Sequence, residues 1–311
     1  MSGQLKPPII LLGNTRSGTT IVQKLVATHP DVAGWYEPRT LWLYADPGRP
    51  HDEFDASDAS HRVKRYIRKR FLEFQQESGN RVVMEKTPAN ILKIPYVHEI
   101  FPEATYLFIV RNPFSFISSV ESKWRFRPIG KKGTRRRLKS TPVTQWHHYA
   151  GRYVRDKLLR KVLKRERLSL WGPRYEGIQQ DLRTRDLLTV VARQWAVCSR
   201  KAERDLALLG KDRVLRLRYE DFVADPVSHL ERICAHSGLQ MTHDMVKAAH
   251  ESVDRGRQHK WRRFDPRDLS RVLPEIEDEM QRHGYDLPAE IGRRAAGAPP
   301  DGPAQVLGET G

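Results

Sequence analysis

Three short apolar runs punctuate the chain, at residues 9–12, 82–84 and 106–110, and a strand-like segment interrupted by Arg216 follows at 214–217. Each is too short for a helix and is bounded by polar or turn residues, so each is predicted as a buried strand. Between the runs, apolar positions recur every three or four residues. Val63, Ile67, Phe71 and Phe74 form one such stripe, which predicts a helix over 63–74 with a Lys/Arg-rich outer face. Ile21, Leu25 and Val26 mark another directly after the first strand, and further helices are predicted at 186–209, 226–236, 245–251 and 274–283, the last stopping at Gly284. Strands alternating with helices imply an α/β fold, a parallel sheet flanked by helices, with ligand bound at the carboxyl ends of the strands. Residues 292–311, rich in Gly, Ala and Pro, read as a disordered tail and leave 1–291 as a single domain.

The turn after the first strand carries the most chemistry. Gly13-Asn14-Thr15-Arg16-Ser17-Gly18-Thr19-Thr20 has the layout of a P-loop, but Thr19 stands where a Walker loop has its Lys. Backbone N–H groups of such a turn and the positive end of the following helix still make an anion site. The loop therefore suits a phosphate donor that needs neither that Lys nor a metal held beside it.

Arg16-Ser17-Gly18-Thr19-Thr20 after a strand resembles the 5′-phosphosulfate loop of the sulfotransferases, which use 3′-phosphoadenosine 5′-phosphosulfate (PAPS) and release adenosine 3′,5′-bisphosphate (PAP). Arg111 after the strand at 106–110, Ser119 eight residues on and Lys123 a turn later are similar to the family's 3′-phosphate site. Glu37-Pro38 and Lys86-Thr87-Pro88 match two further family segments. Tyr219-Glu220-Asp221, Lys260-Trp261 and Gly284-Tyr285 resemble the tyrosylprotein and carbohydrate branch, and the likeness covers roughly residues 8–125 and 186–287. It implies a P-loop-type sheet, PAPS as donor, no metal, and donor contacts from Arg16, Ser17, Gly18, Thr19, Thr20, Arg111, Ser119, Lys123, Tyr219 and Lys260.

Sulfuryl transfer is an in-line displacement in which positioning and charge stabilisation dominate. Charge builds on the oxygen that leaves with the 5′-phosphate, and Lys86, with Arg16 beside it, is the candidate to meet it. The acceptor must lose a proton. Tyrosylprotein-type members use Glu for this, so Glu37 is the candidate general base, reached from the loop by one helix and a turn, with Pro38 expected to hold it extended. Plainer alternatives stay open: Glu37 as a capping carboxylate, Arg111 paired at a strand end, Ser119 facing its own helix, Tyr219 as core, and Arg255 or Arg257 in place of Lys260.

The net charge of +17 is unevenly placed. Residues 123–167 hold 17 Lys or Arg against Asp156 and Glu166, so this window alone carries +15. Nearly all of it lies in a basic, mainly helical insertion at 125–185, which also holds Trp146, His147, His148, Tyr149 and the cluster Trp171-Gly172-Pro173-Arg174-Tyr175. The insertion is either a solvated flap, an element that attracts an anionic acceptor, or a contact for nucleic acid or a membrane surface. A P-loop kinase would need the missing Lys, and a nucleic-acid module would leave Glu37 and Lys86 without a purpose. Two cysteines, Cys198 and Cys234, make no disulfide framework, and no stretch approaches 18 apolar residues. A cytoplasmic enzyme acting on a small-molecule, glycan or lipid acceptor is expected.

Overall fold

The computed structural model describes residues 4–126, 172–253 and 260–287; the side chains of residues 122–126, 260 and 266 lie outside that description. Most of the basic window and the 292–311 tail therefore lie outside the described residues. Five parallel strands, β1 Ile9–Gly13, β2 Val32–Tyr36, β3 Val82–Lys86, β4 Thr105–Val110 and β5 Val214–Arg218, form one sheet in the order β2-β3-β1-β4-β5. The helices are α1 Thr19–Val26, α2 Arg39–Trp42, α3 His61–Glu77, α4 Ile94–Ile100, α5 Pro113–Phe126, α6 Ile178–Thr184 and α7 Leu187–Leu206. After β5 come α8 Tyr219–Ala224, α9 Pro226–His236, α10 His243–Ser252 and α11 Pro266–Arg282.

Alternation along the strands splits the core in two. Ile10 and Leu12 of β1, with Tyr106, Phe108 and Val110 of β4, face a layer that includes α3, α4, α5, α7 and α11. Ile9, Leu11, Leu107 and Ile109 face α1, α8, α9 and α10. Burial on both faces explains why β1 and β4 read as unbroken apolar runs rather than alternating ones. Helix starts carry side-chain caps where the chain leaves a turn: Ser60 accepts from the Val63 N–H, Asp186 from Thr189 and Asp225 from Ser228.

Three expectations need correction. The chain between the loop and Glu37 is not just a helix and a turn, since β2 intervenes. Its Val-Ala-Gly-Trp-Tyr sequence is interrupted by Gly34, which lets α1 approach so closely that a Cβ would lie 3.2 Å from Ala27, and Trp35 and Tyr36 are only half-buried. The last helix begins at Pro266, not at Pro274. Asp265 caps it, and Pro274 is carried inside because Leu269, Val272, Leu273, Ile276 and Met280 bury one continuous stripe across it. Finally, the end of the supposed insertion is core: Arg174, Tyr175 and Ile178 are buried.

The parallel registers align the strand ends. Gly13 lies opposite Ile109, Tyr36 opposite Lys86 and Val110 opposite Arg218. Residues 14–18, Glu37, Lys86, Arg111 and Tyr219 thus all emerge at the carboxyl edge of the sheet, around β1 where the strand order reverses.

Candidate donor and transfer site

Residues 14–18 turn tightly between β1 and α1, with the Ser17 N–H on the Asn14 carbonyl at 3.2 Å. Arg16 at φ 65° and Gly18 at φ 89° are both left-handed, which reverses the chain and aims the amides of the first turn of α1 outward. No side chain caps α1, which leaves the Thr19 and Thr20 N–H groups at its start for an anion, while the Ile21 N–H turns back to the Gly18 carbonyl at 3.1 Å. Gly18 is required by its conformation and by its neighbour: a Cβ there would sit 2.3 Å from the Tyr219 ring. Ser17 and Thr19 are buried, whereas Arg16 and Thr20 are exposed on the crevice side. The loop is propped from below by Asn14, whose amide donates to the Trp195 carbonyl on α7.

Beside the loop lies the Lys86 ammonium. Its side chain is 1 % exposed, yet Nζ donates to Glu37 Oε1 at 2.7 Å and Thr20 Oγ1 at 3.4 Å, and stands 3.9 Å from the centre of the Tyr36 ring. The Tyr36 hydroxyl shares a 2.8 Å hydrogen bond with Thr20, so β2, β3 and α1 are tied together at one point. Glu37 itself is exposed and adopts φ 48°, not the extended backbone expected before proline. The Glu37 N–H donates to the Lys86 carbonyl at 3.0 Å, and the Arg39 N–H to the Glu37 carbonyl at 2.8 Å. Pro38 at φ −74°, ψ 57° forms an inverse γ-turn between them. A left-handed non-glycine residue costs about 1–3 kcal/mol and persists only where its surroundings hold it.

On the other side of the loop Arg111 is buried, with Nη1 donating to the Arg16 carbonyl at 2.7 Å and the guanidinium 4.6 Å from the Tyr219 ring centre. Burial pushes the Arg111 guanidinium below its usual range, partly offset by Tyr219 and Glu220, but an arginine stays charged. Arg16 Nε donates to Ser119 Oγ at 3.0 Å, which places Arg16 on the α5 side of the crevice. Glu220 accepts from the Asn112 N–H and the Tyr285 hydroxyl, and the Trp195 indole donates to the Arg111 carbonyl, so α7, α8 and the segment after α11 fix the β4–α5 turn. Lys123 lies on α5 and Lys260 opens the turn Lys260–Arg263, which Arg263 ties to α5 through the Ser118 carbonyl and Glu121; the side chains of Lys123 and Lys260 are outside the described residues.

Sequence reasoning missed Tyr36, Asn14 and Trp195. Tyr36 was hidden with β2, while Asn14 and Trp195 act through contacts about 180 residues apart that no local pattern signals. Among the described residues no group of His, Cys, Asp or Glu could hold a metal ion, and no helix is long and apolar enough to cross a membrane.

The fold and motifs have known counterparts. The nodulation protein NoeE of Sinorhizobium fredii is 29 % identical over 142 residues, 40 % of this chain but only 34 % of that protein, about a third of its length. The sulfotransferase domain from the curacin biosynthetic pathway superposes with a TM-score of 0.57 at 16 % identity, covering 92 % of this chain and 100 % of that one. The sulfotransferase domain of the Synechococcus PCC 7002 olefin synthase gives 0.56 at 16 % identity over 93 % and 99 %, and sulfotransferase STF9 from Mycobacterium avium 0.53 at 14 % over 92 % and 79 %. At these identities the structures speak for the fold. The model of the sulfotransferase family matches residues 7–168 and 153–244, three-quarters of the molecule taken together, and the chain belongs to the sulfotransferase family.

Proposed function

We propose that the protein transfers a sulfuryl group from PAPS to an acceptor hydroxyl or amine, with Glu37 as proton acceptor and Lys86 at the leaving oxygen. The observation that carries this reading is the buried Lys86 ammonium, shared between Glu37 and Thr20 at the mouth of a loop that lacks the Walker lysine. The acceptor oxygen attacks sulfur as its proton passes to Glu37. The bond from sulfur to the bridging oxygen breaks, its electron pair stays on the 5′-phosphate of PAP, and Lys86 meets that growing charge more strongly than it meets the ground state. The amides from Gly18 to Thr20 suit the 5′-phosphate, the Ser17 N–H being held by the Asn14 carbonyl. Arg111, Ser119 and Arg16 gather on the opposite side of the loop, which favours a 3′-phosphate role for Arg16 over one beside Lys86. Tyr219, packed on Gly18 and Arg111, is assigned to hold these two rather than to stack on adenine.

PAP should therefore bind without a divalent ion. At a ligand concentration ~100 times Kd it should add ~2.7 kcal/mol of stability, read as a raised melting temperature in EDTA. Arg111→Ala should remove most of that shift. A large shift with ATP and Mg²⁺ and none with PAP would make the protein a kinase instead.

For the acceptor, the +15 of residues 123–167 supports a small molecule, glycan or lipid that carries negative charge. Raising ionic strength from 0.05 to ~0.5 M should then raise the acceptor KM several-fold, because exposed charges are screened beyond about 10 Å at 0.1 M. A KM indifferent to salt would remove the charge argument.

A further inference from the structure

We propose that Asp52 is a positioning residue that fixes the Glu37 carboxylate relative to the phosphate loop, acting through Arg39 on one side and Arg174 on the other. The inference rests on Glu37 being the proton acceptor. Asp52 is fully buried. Arg174 alone satisfies it: Nη2 donates to Oδ1 at 2.8 Å, Nε to Oδ2 at 3.1 Å and the Arg174 N–H to Oδ2 at 2.9 Å, while the Asp52 N–H returns a 2.7 Å bond to the Arg174 carbonyl. Arg39 Nη2 then adds a further bond to Oδ2 at 2.9 Å. That carboxylate already had a bidentate partner, and a second guanidinium is surplus to the pairing a buried charge requires. Burial pushes the Asp52 carboxyl up, and Arg39, Lys93 and Arg174 together outweigh it and hold it well below the usual carboxylate range.

What Arg39 does reach is Glu37. The two are joined by the inverse γ-turn at Pro38, whose φ is locked by its ring, so a fixed Arg39 leaves the left-handed Glu37 little freedom. Arg174 lies two residues from the segment that packs on the phosphate loop. Gly172, at φ 93°, lies so close to it that a Cβ would be 3.1 Å from Thr15 Oγ1, and the Pro173 carbonyl accepts from Gln194 Nε2 at 2.7 Å. One buried carboxylate thus spans from the floor of the donor loop to the turn that presents the base, which sets the distance between donor and base where errors near 1 Å cost about 10² in rate.

The test is a double-mutant cycle on turnover, with PAP affinity and melting temperature measured for each variant. Arg39→Ala should lower kcat ~10- to 100-fold while PAP Kd and acceptor KM stay within about twofold, and Arg39→Lys, which can still reach Asp52, should restore part of the loss. In a Glu37→Gln background Arg39→Ala should cost nothing further, because its effect passes through Glu37. Additive losses, a change confined to KM, or parental kcat in Arg39→Ala would each overturn the proposal. Glu37→Gln alone tells the two readings apart: if it turns over normally, the assignment of the base fails, and if it is slow while Arg39→Ala is not, only the positioning role fails.

Discussion

Glu37→Gln should cut turnover by ~10² to 10⁴, the range for a lost general base, and should not weaken the donor. The second half of that expectation follows from Lys86. In the free protein its ammonium is paired with Glu37 at 2.7 Å, and the side chain is 1 % exposed. Glutamine keeps the volume and an acceptor oxygen but removes the charge, so the ammonium is left to the incoming phosphosulfate. PAP affinity should hold or rise. The unliganded variant should melt lower than the parent, since a buried cation has lost its anion, and saturating PAP should close that gap. Lys86→Ala should behave differently, losing kcat far more than donor affinity, because its interaction strengthens as the leaving oxygen gains charge. Calorimetric titration with PAP and steady-state turnover from pH 6 to 9 separate these outcomes. Normal turnover of Glu37→Gln across that range would remove Glu37 from the reaction.

The sheet was readable wherever a strand is buried on both faces. Ile9–Gly13 and Thr105–Val110 are continuous apolar runs because helices cover both sides of them, and each is followed directly by the residues of a binding loop. Val32–Tyr36, broken by Gly34 and only half-buried at Trp35 and Tyr36, was not recognised, and with it went Tyr36, whose ring stands over Lys86. Arg16, Lys86 and Arg111 could be placed together because each follows or ends an apolar run and a parallel sheet brings those strand ends to one edge, whereas Glu37 and Ser119 were named only through the resemblance of their motifs. The backbone at Glu37 could not be read from the sequence: the γ-turn that makes Glu37 left-handed depends on Lys86, Arg39 and the distant pair Asp52 and Arg174. Arg174 shows the same limit from the other side. The sequence placed it only in an aromatic cluster at the end of the basic insertion, whereas a carboxylate 122 residues away pairs with it in the core.

A change beside Lys86 should alter stability rather than chemistry. Glu85 precedes Lys86 on β3, and alternation turns its side chain to the opposite face, where it is fully buried. Burial pushes its carboxyl up to about 7, against the opposing pull of the Thr87 hydroxyl, the Trp42 indole, Lys86 and the Asn90 amide. An acid whose folded value is raised stabilises the protein fully below the unfolded value near 4.5 and loses that contribution as pH climbs through about 7, because only the unfolded chain releases its proton in between. The loss over that window is about 3 kcal/mol at most. Glu85→Gln cannot ionise. Its oxygen still accepts from Trp42 Nε1 and Thr87 Oγ1, and its amide can donate to Asn90 Oδ1, which has no hydrogen-bond partner among the described residues, once the Asn90 side chain turns over. The variant should thus match the parent near pH 5 and exceed it at pH 8 by up to about 3 kcal/mol, seen as a higher urea midpoint at the higher pH only. Lys93, whose ammonium burial pushes down to about 7, is present in both proteins and largely cancels from the difference. Equal midpoints for variant and parent at both pH values would show that Glu85 does not hold its proton in the folded protein.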